Sequence, residues 1–346
     1  MGTSNLKLNM TTELFDFVIP LYKMRWNTQA VIEGLTFHYQ PRAIHVIAPA
    51  AEAIAIQQIS SKWKTAPIFT HQEETFFPNE LTKDKICAEL DLAQSLYTPG
   101  WFYQQLLKLG AFEGIEGLSE WYMVWDSDLL PVATWQLMQQ KKHTFALLQD
   151  QGWGNPDIVS KWEKWVNSIL KVSAIKDLRG TFIPHHMWLK QEHLQSFTQQ
   201  LNSYYDSKDH WLLLMMRSAN DFGTYSEYWS YVSWVAAQAP DDLSFYPYEK
   251  YGITSERFFD DGTGLFSITM RRYQGLEPDL ETNNAFSPSY QEIESFIKSE
   301  YDSDSLPSAL SFESSPRHLK KDEENMHIEE LRSRWNPRKI EPAKSV

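Results

Sequence analysis

The chain has 346 residues, with 32 Lys and Arg against 45 Asp and Glu, a formal net charge of −13 at neutral pH. That length suits one large domain or two small ones with a substantial core, and the acidic balance repels phosphate backbones, which argues against a nucleic-acid partner. The single cysteine, Cys87, excludes an internal disulfide and a cysteine-based zinc site.

The first residues, Met1 to Thr12, lack the charged-then-apolar order of a signal peptide. Leu6 stands where a myristoylation signal wants Ser or Thr. No run reaches the roughly 18 apolar residues of a membrane helix. A cytoplasmic location with no transmembrane segment is therefore the expectation. The lone Asn9-Met10-Thr11 sequon then carries no meaning.

Phe15 to Tyr22 is apolar and compact and reads as a buried strand. A helix is expected over 28–38, a second strand over 43–48, a helix over 50–64 and a short strand over 67–70. This alternation is the pattern of a parallel sheet with crossover helices. Further on, Pro99-Gly100 opens a helix over 101–112, and Trp121 to Trp125 forms a strand that ends on Asp126-Ser127-Asp128. A strand over 143–148, a helix over 157–170 and a short strand over 181–184 follow. Helices are expected over 191–205, 209–218 and 226–238. The aromatic cluster Tyr225, Tyr228, Trp229, Tyr231 and Trp234 in the last of these has helical spacing and reads mainly as core. The expected division is a catalytic domain over 1–278 and a mostly disordered, acidic and Ser-rich tail over 279–346, with a short helix near 323–334.

Asp126-Ser127-Asp128 is the strongest chemical signal. An apolar strand delivers two carboxylates to its C-terminal end, where ligands bind in open α/β sheets. Spaced by one residue, both can turn toward one divalent cation, and oxygen ligands suit Mg²⁺ or Mn²⁺. The alternative is an ordinary polar turn. Just upstream, Trp101, Gln105 and Lys108 share a helix face, with Gln104 beside them. That face offers amides and a cation to phosphates or sugar hydroxyls, or is simply solvated. In Ile183-Pro184-His185-His186-Met187 the two histidines point opposite ways on an extended segment, so one at most faces a given cleft; His186 is preferred. Ser226 is placed to cap a helix, and Glu227 is either a first-turn carboxylate or a general base facing an acceptor. Lys23 and Arg25 follow the first strand and read as a solvated turn, with phosphate contact as the alternative. Asp16 reads as structural. No phosphate loop, no Gly-x-Gly-x-x-Gly and no Gly-x-Ser-x-Gly elbow occurs, which counts against ordinary kinase, dehydrogenase and hydrolase readings.

Taken in order, Gly100-Trp101-x-x-Gln104-Gln105-x-x-Lys108-Leu109, Val124-Trp125-Asp126-Ser127-Asp128, His185-His186-Met187 and Ser226-Glu227-Tyr228 resemble an uncharacterised glycosyltransferase-like family. That family is related to the nucleotide-diphospho-sugar transferases of the GT-A fold, and the likeness spans Asp16 to Gly275. It implies an α/β, Rossmann-like GT-A fold with a mixed, mostly parallel central sheet flanked by helices. It also implies Asp126 and Asp128 as the metal and nucleotide-sugar motif, Asp128 contacting the metal most directly, with Mn²⁺ or Mg²⁺ as cofactor. Trp101, Gln104, Gln105, Lys108 and His186 are the further substrate-binding candidates, and Glu227 the catalytic one. The expected partners are a nucleotide-sugar donor, a UDP-sugar first, and an acceptor hydroxyl. Two alternatives stand beside this reading. One is a haloacid-dehalogenase-type phosphatase or phosphotransferase, although Leu130 stands where that motif wants Thr or Val. The other is a non-catalytic nucleotide-sugar-binding or scaffold protein.

Overall fold

A computed structural model describes residues 14–78, 80–93, 97–139, 142–147, 156–177, 182–222, 224–247, 255–258, 266–267, 269–271, 273–275, 287–300 and 306–312. Strands and helices alternate at first: β1 (Asp16–Pro20), α1 (Thr28–Tyr39), β2 (Ala43–Ala48), α2 (Ala50–Ile59) and β3 (Ile68–Gln72). Then come α3 (Lys83–Cys87), α4 (Pro99–Leu109), α5 (Ala111–Gly114), β4 (Trp121–Trp125), β5 (Leu129–Pro131), β6 (Met138–Gln139) and β7 (Lys142–Leu147). The remainder is α6 (Pro156–Trp165), which runs on as a π turn over Val166–Leu170, then β8 (His186–Lys190), α7 (Gln191–Tyr205), α8 (Trp211–Phe222) and α9 (Glu227–Gln238). β9 (Leu243–Pro247), β10 (Ser255–Phe258), α10 (Tyr290–Glu300) and β11 (Ala309–Phe312) complete it.

The central sheet has the order β3-β2-β1-β4-β8. Its first four strands are parallel and β8 runs antiparallel to β4. This is the mixed, mostly parallel sheet expected, flanked by helices. Every residue of β1 and β2 is buried, because a parallel sheet covered on both faces tolerates no polar alternation. Asp16, buried and charged, is tied down: Arg42 pairs with it, and its Oδ2 accepts the Ser119 N–H at 2.9 Å. Burial works against the Asp16 charge, but His45 and Arg42 hold its carboxyl well below the usual range. The structural reading of Asp16 stands. β1 and β4 lie side by side in the same direction, so the turn after β4 shares an edge with the chain leaving β1.

Two expectations are corrected. The strand expected over 181–184 starts at His186 instead, because its residues extend the sheet by pairing with β4 from Trp125↔His186 to Trp121↔Lys190. The disordered tail expected over 279–346 does not hold for 287–300 and 306–312. Tyr290, Ile293, Phe296 and Ile297 of α10 are buried, and α10 packs on α1. Gly34 permits that approach: a Cβ there would sit 2.9 Å from the Tyr290 ring. All four residues of β11 are buried, and β11 pairs with β10 and antiparallel with β5. An apolar period of three to four residues within an acidic stretch suffices to dock a helix. The helix expected near 323–334 lies outside the described residues. Among those residues, no helix is long and apolar enough to cross a membrane.

Candidate active site

β4 ends where its side chains stop being buried. Trp125 is fully buried, whereas Asp126, Ser127 and Asp128 are half-buried. The turn is closed by two bonds: Leu129 N–H donates to the Asp126 carbonyl at 3.1 Å, and the Trp125 indole donates to the Leu129 carbonyl at 2.8 Å. Asp126 N–H donates to the His185 carbonyl at 2.9 Å, which prolongs the β4–β8 ladder by one step. Successive side chains on a strand face opposite ways. Trp125 and His186 therefore share one face, and Asp126 and His185 the other. His185 Nδ1 lies 3.3 Å from Asp126 Oδ2. One donor atom each from Asp126, Asp128 and His185 falls within 4.8 Å of the others. Two carboxylates and an imidazole at that spacing fit a divalent cation.

Behind this cluster stands a buried cation. Lys108, in the last turn of α4, places Nζ 2.9 Å from Asp126 Oδ1 and 3.0 Å from Glu227 Oε1. The same ammonium lies 4.6 Å from the centre of the Tyr228 ring. Gln105, one turn earlier, accepts the Glu227 N–H through Oε1 at 3.1 Å. Local sequence explains the two helix ends. Thr98 caps α4 by accepting the Trp101 N–H at 3.3 Å, with Pro99 in its first turn. Ser226 caps α9 by accepting the Trp229 N–H at 3.4 Å, as expected of it. Burial opposes the charge of Lys108, but Asp126, Tyr228 and Glu227 outweigh it and raise its pKa well above the ordinary value. Burial likewise opposes the charge of Asp126, and Lys108 and then His185 outweigh it, so its carboxyl titrates below the usual range.

The structure thus brings together Asp126, Asp128, Gln105, Lys108 and Glu227, from four separate stretches of sequence with His185. Trp101 and Gln104 lie further up α4. Trp101 is about 10 Å up the axis from Lys108 and stacks on Tyr97 with ring centroids 4.0 Å apart. Of the two histidines, the structure sets His185 and not the preferred His186 beside Asp126. His186 is enclosed between Trp125 and Trp135, at centroid distances of 5.1 and 4.9 Å, and burial lowers its pKa to about 3. The antiparallel register of β8 decides which histidine faces Asp126, and that register is invisible in the local sequence. Glu227 is 7% exposed and pairs with Lys108, so it does not stand open to solvent as a free base would.

Two clefts lie apart from this cluster among the described residues. One of about 480 Å³ is lined by Phe15, Glu120, Trp121, His143 and Trp188, at the opposite end of β4. The other lies between Tyr273 and Glu292.

Residues 26–259 match the family of unknown function DUF6492, and the chain belongs to that family. No curated protein matches it. Among solved structures, apo mouse xyloside xylosyltransferase 1 is similar at 11% identity and a TM-score of 0.39, over 70% of this chain and 87% of that one. An active-site mutant of LgtC is similar at 8% identity and a TM-score of 0.39, over 92% and 95%. The apo glycosyltransferase GlyE of Streptococcus pneumoniae TIGR4 is similar at 8% identity and a TM-score of 0.37, over 96% and 66%.

Proposed function

We propose that this chain is a metal-dependent glycosyltransferase that moves a sugar from a nucleoside diphosphate-sugar, a UDP-sugar first, to an acceptor hydroxyl. The observation that carries the reading is the Asp126, Asp128 and His185 cluster at the carboxyl end of a parallel strand. Strand ends of this kind are where open α/β sheets bind ligands. Asp128, Asp126 and His185 would hold Mn²⁺ or Mg²⁺, which when bound supplies neutralisation of the charge that grows on the leaving diphosphate.

The remaining residues act on this cluster. Lys108 keeps Asp126 ionised; with two carboxylates and the Tyr228 ring around it, its task is to hold Asp126 rather than to reach a phosphate. Glu227 holds Lys108 in turn. A general base needs an oxygen open to the acceptor hydroxyl, so its burial favours the counter-ion role over the catalytic one expected from sequence. Gln105 fixes the start of α9 through the Glu227 N–H. Trp101 and Gln104, further up α4, would then meet parts of the substrate remote from the metal.

The test is thermal stability against a panel of nucleoside diphosphates and nucleotide-sugars, with and without Mn²⁺. A ligand at about 100 times its Kd stabilises the fold by roughly 2.7 kcal/mol. A shift that needs both the metal and one nucleotide supports the reading and names the base. A protein that responds to no nucleotide is not a glycosyltransferase of this kind, and a phosphoryl group trapped on an aspartate would assign it to the phosphatase class instead.

A further inference from the structure

The turn that carries Asp126 and Asp128 is held from below by β11. β11 pairs antiparallel with β5, the strand that follows the turn directly, with Leu310 opposite Leu130 and Ser311 opposite Leu129. The next step of that register sets Phe312 opposite Asp128, and Phe312 N–H donates to the Asp128 carbonyl at 3.0 Å. The Phe312 carbonyl, on the same side of the strand, accepts from Arg25 Nη1 at 3.0 Å. A guanidinium from the far end of the chain therefore caps the ladder at the position facing Asp128.

Arg25 is itself fixed. Its N–H donates to Thr28 Oγ1 at 2.9 Å and its carbonyl accepts the Thr28 N–H at 3.1 Å, at the start of α1. Trp26 beside it meets the Phe312 ring edge-on, with centroids 5.0 Å apart. Arg25 follows β1, which runs parallel to β4, so it stands at the sheet edge that bears the carboxylates. The sequence offered a solvated turn or a phosphate contact for Arg25; the structure ties it to the protein backbone.

We infer that Arg25 is a positioning residue for the candidate cation site: through the Phe312 carbonyl it locks β11 against Asp128 and so fixes the turn that presents Asp126 and Asp128 beside His185. This rests on the reading of that cluster as a cation site. Ligands of a metal are tuned by the groups that orient them, and losing such a group weakens metal binding by roughly 10–100-fold. Here the orienting contact reaches the backbone of Asp128 rather than its carboxylate, so the lower end of that range applies.

The experiment measures Mn²⁺ affinity by electron paramagnetic resonance, and amide hydrogen exchange over 128–132 and 308–312, for the full chain and for Arg25→Met and Arg25→Lys. Arg25→Met is expected to bind Mn²⁺ about tenfold more weakly, with faster exchange at the Phe312 amide and a melting temperature close to that of the native chain. Arg25→Lys, which keeps a donor and a charge, recovers most of the affinity. Arg25→Met with native Mn²⁺ affinity overturns the inference, even where nucleotide binding falls, since that pattern marks Arg25 as a phosphate contact. Absence of Mn²⁺ binding by the native chain overturns the cation reading itself. The native arm alone separates that failure from a failure of the clamp.

Discussion

Lys108 Nζ stands 2.9 Å from Asp126 Oδ1 although α4 and the turn after β4 are separate elements, and Glu227 meets the same ammonium at 3.0 Å. A buried cation shared by two carboxylates is worth little net against an apolar replacement, but removing one partner strands the others. Lys108→Met is therefore expected to destabilise the fold by about 3 kcal/mol in denaturant titrations. Adding Glu227→Gln relieves one of the two stranded carboxylates. The double variant should lose at least about 1 kcal/mol less than the sum of the two single losses. Strict additivity would mean that the three groups do not act as one unit.

The adjacent histidines separate by position. His185 faces Asp126, and His186 sits in an aromatic enclosure with neither ring nitrogen hydrogen-bonded among the described residues. Replacing a buried polar ring by an apolar one of similar shape is close to neutral. His186→Phe should stay within about 1 kcal/mol of the native stability and keep the full Mn²⁺-dependent thermal shift. His185→Ala and Asp128→Asn should fold normally and lose that shift. The reverse pattern, with His186→Phe losing the shift, would restore His186 to the site.

Local sequence carried the parallel half of the sheet well. β1, β2 and β4 are short apolar runs bounded by turn residues, and the helices between them have clear ends. Asp126 and Asp128 were legible because a strand that stops on two carboxylates is a local pattern. The Lys108–Asp126–Glu227 tie was not, since it joins residues 18 and 101 positions apart. Choosing between His185 and His186 required the register of an antiparallel strand, and one residue of slip exchanges the two faces. α10 and β11 were missed for a compositional reason. Tyr290, Ile293, Phe296 and Ile297 supply one apolar stripe, while the acidic and Ser-rich surroundings gave the stretch the average of a disordered segment.

Acid should weaken the fold through buried imidazoles before it touches the carboxylates. His143 is stacked on Trp121 at a centroid distance of 3.5 Å, and burial lowers its pKa from 6.5 to about 4. Between those values the unfolded chain binds a proton there that the folded chain refuses, so stability falls as pH drops from about 6.5 to 4 and the effect levels off below. Asp16 has the opposite dependence on its neighbours: its contribution is complete above its unfolded value of 3.8 and is lost only as pH falls through its lower folded value. It does not contribute to the loss above pH 4. His143→Phe keeps the stacked ring and removes the titration. From pH 6.5 to 4.5 the native chain should lose roughly 2 kcal/mol more than this variant in urea unfolding. Parallel curves for the two proteins would contradict the assignment.

The fold should depend on α10 and β11. α10 buries Tyr290, Ile293, Phe296 and Ile297, and β11 buries Ala309, Leu310 and Phe312. Burying one large apolar side chain contributes about 1.5–3 kcal/mol, while a whole domain is stable by only about 5–15 kcal/mol. Polar contacts add to the dependence. The Tyr290 N–H donates to Glu33 Oε2 at 2.8 Å, and the Tyr290 hydroxyl lies 2.6 Å from His38 Nε2 on α1. Without α10 and β11, Gly34 faces a void, and β5 loses its hydrogen-bonded neighbour directly after the Asp128 turn. A chain ended after residue 286 is expected to show no cooperative melting transition. Cooperative melting of the shorter chain at the native temperature would show that α10 and β11 are passengers, and would remove the physical basis for the clamp between Arg25 and Phe312.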